Sequence, residues 1–261
     1  MPLKAIKSKE NKQIKQVRKL SFKKYRRESG EFLVENWTTI RDALKSGFRF
    51  ESIFLTQEFQ KKNPGALDFL KERTGEKDFF LISREINENL SQLDTSSGVL
   101  AVYKKREGKP GEGEPVIYLN DLSDPGNLGT ILRTCLAFNF LNIVLSRDCV
   151  DPYNPKAVSA AKDAIFKLRI FKDKKNDWLK RCGRPIYVSL PGEGKDPGEF
   201  KPQKNYCLVL GSESHGASPE IIKKAEGKIS IKTPGNIESL NVAVSAAIIL
   251  YEFSLKNLYK K

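Results

Sequence analysis

Residues 228–253, KISIKTPGNIESLNVAVSAAIILYEF, decide the architecture of the chain. Residues 229–231 (ISI) are a short β-branched run and predict a strand. Pro234, Gly235 and Asn236 then break regular structure. Ser239 is predicted at a helix start, with Leu240, Ala243, Val244, Ala247, Ile248 and Tyr251 following at helical spacing. Asn241 is the anomaly, a polar side chain in the first helical turn ahead of an almost wholly apolar run. A helix that is apolar nearly all round is expected to be buried. Its N-terminus offers free N–H groups and the positive end of the dipole, which suit an anionic or carbonyl-bearing ligand. The alternative is that Ser239 serves only as an N-cap and Asn241 is satisfied locally. The stretch alone leaves both open.

Upstream, strand–helix alternation runs from Val116 onward. Strands are predicted at 116–119, 141–145, 168–171, 185–190 and 206–210, the last (YCLVL) the most apolar. Helices are predicted at 128–138, 155–165, near 176–181, and at 219–226. Short continuous apolar runs between helices imply a parallel sheet covered on both faces.

Ligands of open parallel sheets bind at the carboxyl ends of the strands. Three loops follow strands here. In NDLSDPGNLGTILR (120–133), Gly126 and Gly129 let the backbone approach a ligand, and Asn127 lies beside the helix start. Arg133 is the only basic residue between Lys109 and Arg147. Burying it unpaired is costly, so it faces solvent or an anion. It lies a turn and a half beyond Asn127, and both are expected to face the same loop. The second loop, GSESHGA (211–217), carries Glu213 and the lone His215. His215 reads either as a general base or as a solvated loop histidine. The third loop is the one in the opening stretch. Residues 192–198 (GEGKDPG) lack the G-x-G-x-x-G spacing and read as a surface loop; neither a Rossmann cofactor site nor a Walker A loop is present.

The first 27 residues hold eleven Lys or Arg and one acid, Glu10. Ile14, Val17 and Leu20 predict a short amphipathic helix. Lys12, Lys15, Arg18, Lys19, Lys23, Lys24, Arg26 and Arg27 are candidate RNA phosphate contacts. Residues 4–9 read equally as contact or as solvated tail. Strands at 31–34, 50–56, 79–82 and 98–103 alternate with helices at 38–46, 65–71 and 84–93. The division expected is a small α/β domain over 1–104, a charged Gly/Pro-rich linker over 105–115, and a parallel-sheet α/β domain over 116–261.

The chain has 261 residues with 39% hydrophobic content, and no apolar run is long enough for a membrane span. MPLKAIKSKE has no apolar signal core, so a cytoplasmic location is expected. Cys135, Cys149, Cys182 and Cys207 are widely spaced, sit in or beside apolar segments, and are expected reduced. One histidine and no paired cysteines make no case for a metal site. A net charge of +14 points to a polyanionic partner, with nucleic acid ahead of an acidic membrane.

Together the three loops resemble the three signature motifs of the SpoU (TrmH) family of RNA 2′-O-ribose methyltransferases, in the SPOUT superfamily. The matching segments are DPGNLGTILRTCLAF, LVLGSESHGAS and ISIKTPGNIESLNVAVSAAIILYE. NKQIKQVRKLSFKKYRRESGEFLVE is similar to the opening of that family's ribosomal-protein-like substrate-binding domain. Lys232 stands where a proline is usual, Ser214-His215 replaces a Gly-containing pair, and Asn36-Trp37 replaces a Gly. The resemblance implies a trefoil knot, S-adenosylmethionine as cofactor, and a homodimer whose active site draws on both subunits. It implies Arg133 as base or phosphate clamp, Asn127, Glu213, Ser239 and Asn241 around the ribose and the arginine, and Leu210, Gly211, Ile231 and Leu240 against the cofactor. The substrate expected is structured RNA, rRNA ahead of tRNA. The rival from another class is a non-catalytic RNA-binding assembly factor that retains the fold.

Overall fold

The computed structural model describes residues 3–74, 78–93, 95–213, 215–235 and 237–258, so Ser214 and Asn236 lie outside the described residues. Two compact units form: Met1–Lys105 with Tyr153–Phe166, and Arg106–Pro152 with Lys167–Lys261.

The first unit runs β1 (Lys4–Ile6), α1 (Lys12–Lys19), α2 (Lys23–Ser29), β2 (Glu31–Val34), α3 (Trp37–Lys45), β3 (Ser52–Leu55), α4 (Gln57–Lys62), α5 (Ala66–Thr74), β4 (Asp78–Ile82), α6 (Arg84–Leu90) and β5 (Val99–Lys104). Its sheet order is β1-β4-β3-β5-β2. The β1, β4 and β3 strands are parallel, while β5 is antiparallel to both β3 and β2. The Ile14, Val17 and Leu20 stripe of α1 is buried against Phe54, Phe80, Ile86 and Leu100, as its spacing predicts. Residues 4–6, read from sequence as tail or contact, are instead an edge strand whose Ile6 is buried. Helix α4 was not legible as periodicity. It is set by its N-cap, the Thr56 hydroxyl accepting from Phe59 N at 3.1 Å.

The second unit contains β6 (Val116–Leu119), α7 (Pro125–Ala137) and β7 (Asn142–Leu145). The chain then makes an excursion through α8 (Pro155–Ala161) and α9 (Ala164–Lys167). It continues with β8 (Arg169–Lys172), α10 (Trp178–Arg181), β9 (Ile186–Ser189), β10 (Cys207–Leu210), α11 (Pro219–Lys224), β11 (Gly227–Ile229) and α12 (Val242–Leu258). Its sheet is parallel throughout, in the order β11-β9-β10-β6-β7-β8. The β6, β7 and β10 strands are buried at every residue, as continuous apolar runs require.

Several sequence expectations change. The helix predicted at 155–165 belongs to the first unit: Phe32 lies 4.7 Å from the Tyr153 ring and Tyr103 lies 4.7 Å from Phe166. The predicted linker is strapped to the second unit rather than free. Gly108 N donates to Ile170 O at 3.1 Å, Gly111 N to Asn142 Oδ1 at 2.7 Å, and Arg184 Nη2 to Gly111 O at 2.7 Å. The strand predicted at 229–231 ends at Ile229. Helix α12 starts at Val242 instead of Ser239, because Asn241 Oδ1 accepts from Ala243 N at 2.8 Å and serves as its cap. Only one face of α12 is buried, through Ala243, Ala246, Ile249, Leu250 and Phe253; Val244, Ile248 and Tyr251 are 49%, 37% and 49% exposed.

Candidate active site

Three loops at the carboxyl ends of the second sheet converge. Helix α7 is started by Asp124, whose Oδ1 accepts from Asn127 N at 2.6 Å, with Pro125 in the first helical position. This leaves the Asn127 amide free to reach sideways. After β10 the chain turns tightly: Ser212 N donates to Gly216 O and Gly216 N to Ser212 O, both at 3.0 Å. A Cβ on Gly211 would lie 2.1 Å from the Gly216 carbonyl carbon, so only glycine lets the turn close there. That turn presents Glu213. Asn127 Nδ2 donates to Glu213 Oε1 at 2.9 Å, and Asn241 Nδ2 donates to Asn127 Oδ1 at 3.0 Å. Three side chains, 114 positions apart at the extremes, thus form one line.

Beside this line is a cavity of about 510 Å³. Leu210, Gly211, Ile231 and Leu240 all line it, as do Glu213, Ser239 and Asn241. His215 lines it too; the side chain is exposed, and its backbone N donates to Ser212 Oγ at 3.2 Å. The sequence misses the fourth wall. Ser189, Leu190, Pro191 and Gly192 complete the cavity, although 192–198 read as a surface loop. The usable signal was position after a parallel strand, the rule that found the other loops. Lys232 is exposed and is not among the lining residues, whereas Thr233 is.

Arg133 does not join the line. It is exposed, makes no hydrogen bond or ion pair among the described residues, and does not line the cavity. Six residues at 3.6 per turn put it about 120° around α7 from Asn127, on a different face of the helix. Burial pushes the Cys135, Cys149 and Cys207 thiols up, which leaves these cysteines poor nucleophiles.

In the first unit, Lys12, Lys15, Arg18, Lys19, Lys23, Lys24 and Arg27 are exposed. Arg26 is not. It is 1% exposed and its Nη1 donates to Leu20 O at 2.9 Å and Ser21 O at 2.8 Å. Its guanidinium is committed to the corner between α1 and α2 and is lost to phosphate.

Residues 114–251, more than half of the chain, match the model of the SpoU rRNA Methylase family, and residues 11–101 match the MRM3-like substrate binding domain. The chain is 28% identical to the 23S rRNA (guanosine(2553)-2′-O)-methyltransferase RlmP of Bacillus subtilis, over 95% of this chain and 98% of that one. A crystal structure of an RNA 2′-O ribose methyltransferase superposes with a TM-score of 0.80 at 25% identity, covering 97% of this chain and 99% of that one. The fold is also that of an AdoMet-bound rRNA methyltransferase from Sinorhizobium meliloti, with a TM-score of 0.84 at 24% identity and 99% of each chain covered.

Proposed function

The chain belongs to the SpoU rRNA methylase family, and from that premise we propose that it uses S-adenosylmethionine to methylate a ribose 2′-hydroxyl of structured RNA, ribosomal RNA in particular. The observation that carries this reading is the Glu213–Asn127–Asn241 line at the edge of the 510 Å³ cavity. A mere binding module has no need to fix a carboxylate by one asparagine that a second, from a distant loop, holds in turn.

The cavity suits the cofactor. Leu210, Ile222, Ile231 and Leu240 give it apolar walls, and Glu213 and Glu238 bring carboxylates that complement a cation. Bound there, S-adenosylmethionine supplies an electrophilic methyl group. Asn127 fixes one oxygen of Glu213. Asn241 has its oxygen on the helix cap and its nitrogen on Asn127, so it acts as a positioning residue and cannot take a proton. Ser239 is read as a contact to the ribose. Arg133 clamps the RNA phosphate next to the reacting ribose, with that phosphate or a water receiving the 2′ proton.

Arg133 does not line its own subunit's cavity, so the reading includes a homodimer in which one protomer's Arg133 serves the other's cavity. The exposed Val244, Ile248 and Tyr251 stripe on α12, which packs against α7, supports that interface. Family membership and the parallel sheet support a trefoil knot. No helix among the described residues is long and apolar enough to cross a membrane. The first unit is read as the RNA-holding domain, through its exposed cations.

A single-turnover assay with labelled cofactor and saturating RNA tests the reading. Arg133→Ala is expected to lower the rate by roughly 100- to 10,000-fold, the range typical of positioned catalytic groups, with cofactor affinity unchanged. Arg133→Lys should remain impaired, because lysine lacks the planar fork. Near-normal turnover by the alanine variant would remove Arg133 from the active site.

A further inference from the structure

Phe22 is the most exposed large apolar side chain among the described residues, at 62%. It occupies the N-cap of α2 and makes no capping hydrogen bond. Ser, Thr, Asp or Asn at an N-cap satisfies a free N–H, and an aromatic there does not. Neither core burial nor capping accounts for an aromatic at this position.

Its setting is cationic and aromatic. Arg18, Lys19, Lys23 and Lys24 flank it in sequence and are all exposed. The Tyr25 ring lies edge-on at 6.4 Å, with Lys19 Nζ at 5.1 Å and Lys24 Nζ at 5.8 Å from the Tyr25 centroid. The corner is rigid. Ser21 N donates to Arg18 O and Phe22 N to Lys19 O, while the buried Arg26 guanidinium holds the Leu20 and Ser21 carbonyls from below. Leu20 already closes the core beneath, so the next ring is turned outward and held there.

We propose that Phe22, backed by Tyr25, is a stacking platform for an unpaired RNA base, with the surrounding cations holding the flanking phosphates. The chemistry is matched: cations attract the backbone without regard to sequence, and an exposed ring accepts the face of any base that is not already stacked in a helix. A fully paired duplex offers phosphates but no free base face. The platform would thus favour a loop, bulge or single-stranded segment over continuous helix. The proposal rests on the reading that the first unit holds RNA, and adds which feature of the RNA it holds.

The test uses the full chain and two probes of equal length, a single-stranded oligoadenylate and a blunt RNA duplex, titrated across a range of salt. Phe22→Ala is expected to weaken oligoadenylate binding roughly 5- to 140-fold, the worth of one base stack. The slope of log affinity against log salt should not change, because no cation is lost. Duplex affinity should stay at the wild-type value, and Phe22→Trp should restore oligoadenylate binding. Phe22→Ser separates binding from folding: it supplies the missing cap, so it should melt no lower than wild type and still bind oligoadenylate weakly. Wild-type oligoadenylate affinity in Phe22→Ala, or equal losses on both probes, would overturn the platform. The broader reading would survive that result; it falls only if replacing Lys12, Arg18, Lys19 and Lys23 by Gln leaves affinity and salt slope as they were.

Discussion

At the residue scale, the site is held by groups whose alternatives are already used up. Asn241 has both ends of its amide engaged, one on its own helix and one on Asn127. Gly211 is the tightest case. Any side chain there enters the space of Gly216 and Ala217 backbone, with a nearest approach of 2.1 Å. Ordinary carbon contacts lie at about 3.5–4.0 Å, so the turn carrying Glu213 must shift. Gly211→Ala is expected to cost about 1–3 kcal/mol as strain at the cavity. Calorimetric titration should read this as roughly 5- to 140-fold weaker S-adenosylmethionine binding. Gly235→Ala is the control, since a Cβ there meets nothing within 4 Å. Equal binding by the two variants would show that the 212–216 turn does not shape the cofactor site. The sequence made Asn127, Glu213 and Asn241 legible as unusual polar residues in turns and helix starts. It did not make legible that they touch, nor that Arg26 is buried, because an arginine in a basic run carries no local mark of burial.

At the element scale, α12 has two apolar faces. The Ala243, Ala246, Ile249, Leu250 and Phe253 face is buried within the unit, and the Val244, Ile248 and Tyr251 face is not. Tyr251 is met only in part, by Phe138 at 5.8 Å. Fully burying an apolar side chain of this size contributes about 1.5–3 kcal/mol, so three of them favour association. If this face forms the proposed homodimer, Ile248→Glu is expected to leave only monomer in light scattering at micromolar concentration, where the wild type is a dimer. It should also abolish methylation while the isolated cavity still binds cofactor. A variant that remained dimeric would place the interface elsewhere. Hydrophobic spacing announced a long apolar helix but not how its faces divide between neighbours, since periodicity records that a face is apolar and not what covers it.

At the scale of the whole molecule, the proposed function assigns RNA affinity to the basic first unit and chemistry to the cavity-bearing second unit. Deleting residues 1–104 should weaken RNA binding and flatten its salt dependence, because fewer counterions are released. Cofactor binding should survive, as every lining residue of the cavity lies in the second unit. The deletion also strips Tyr153 and Phe166 of Phe32, Phe48 and Tyr103, so the truncated chain should bind a hydrophobic dye that the full chain does not. Filter binding across salt concentrations checks the first expectation, and an unchanged slope would move the RNA contacts out of the first unit.

The sequence by itself determined the two α/β units, the parallel sheet of the second, the amphipathic α1 and the loops that bear the chemistry. These follow from short-range spacing and from turn residues, which act within a few positions. Only the tertiary structure decided that residues 153–166 fold with the first unit, that 106–115 is strapped to the second sheet, and that 189–192 closes the cavity. It alone took Arg26 out of solvent. Each of these depends on which distant surface excludes water or supplies a hydrogen-bond partner, and that is a property of the assembled chain.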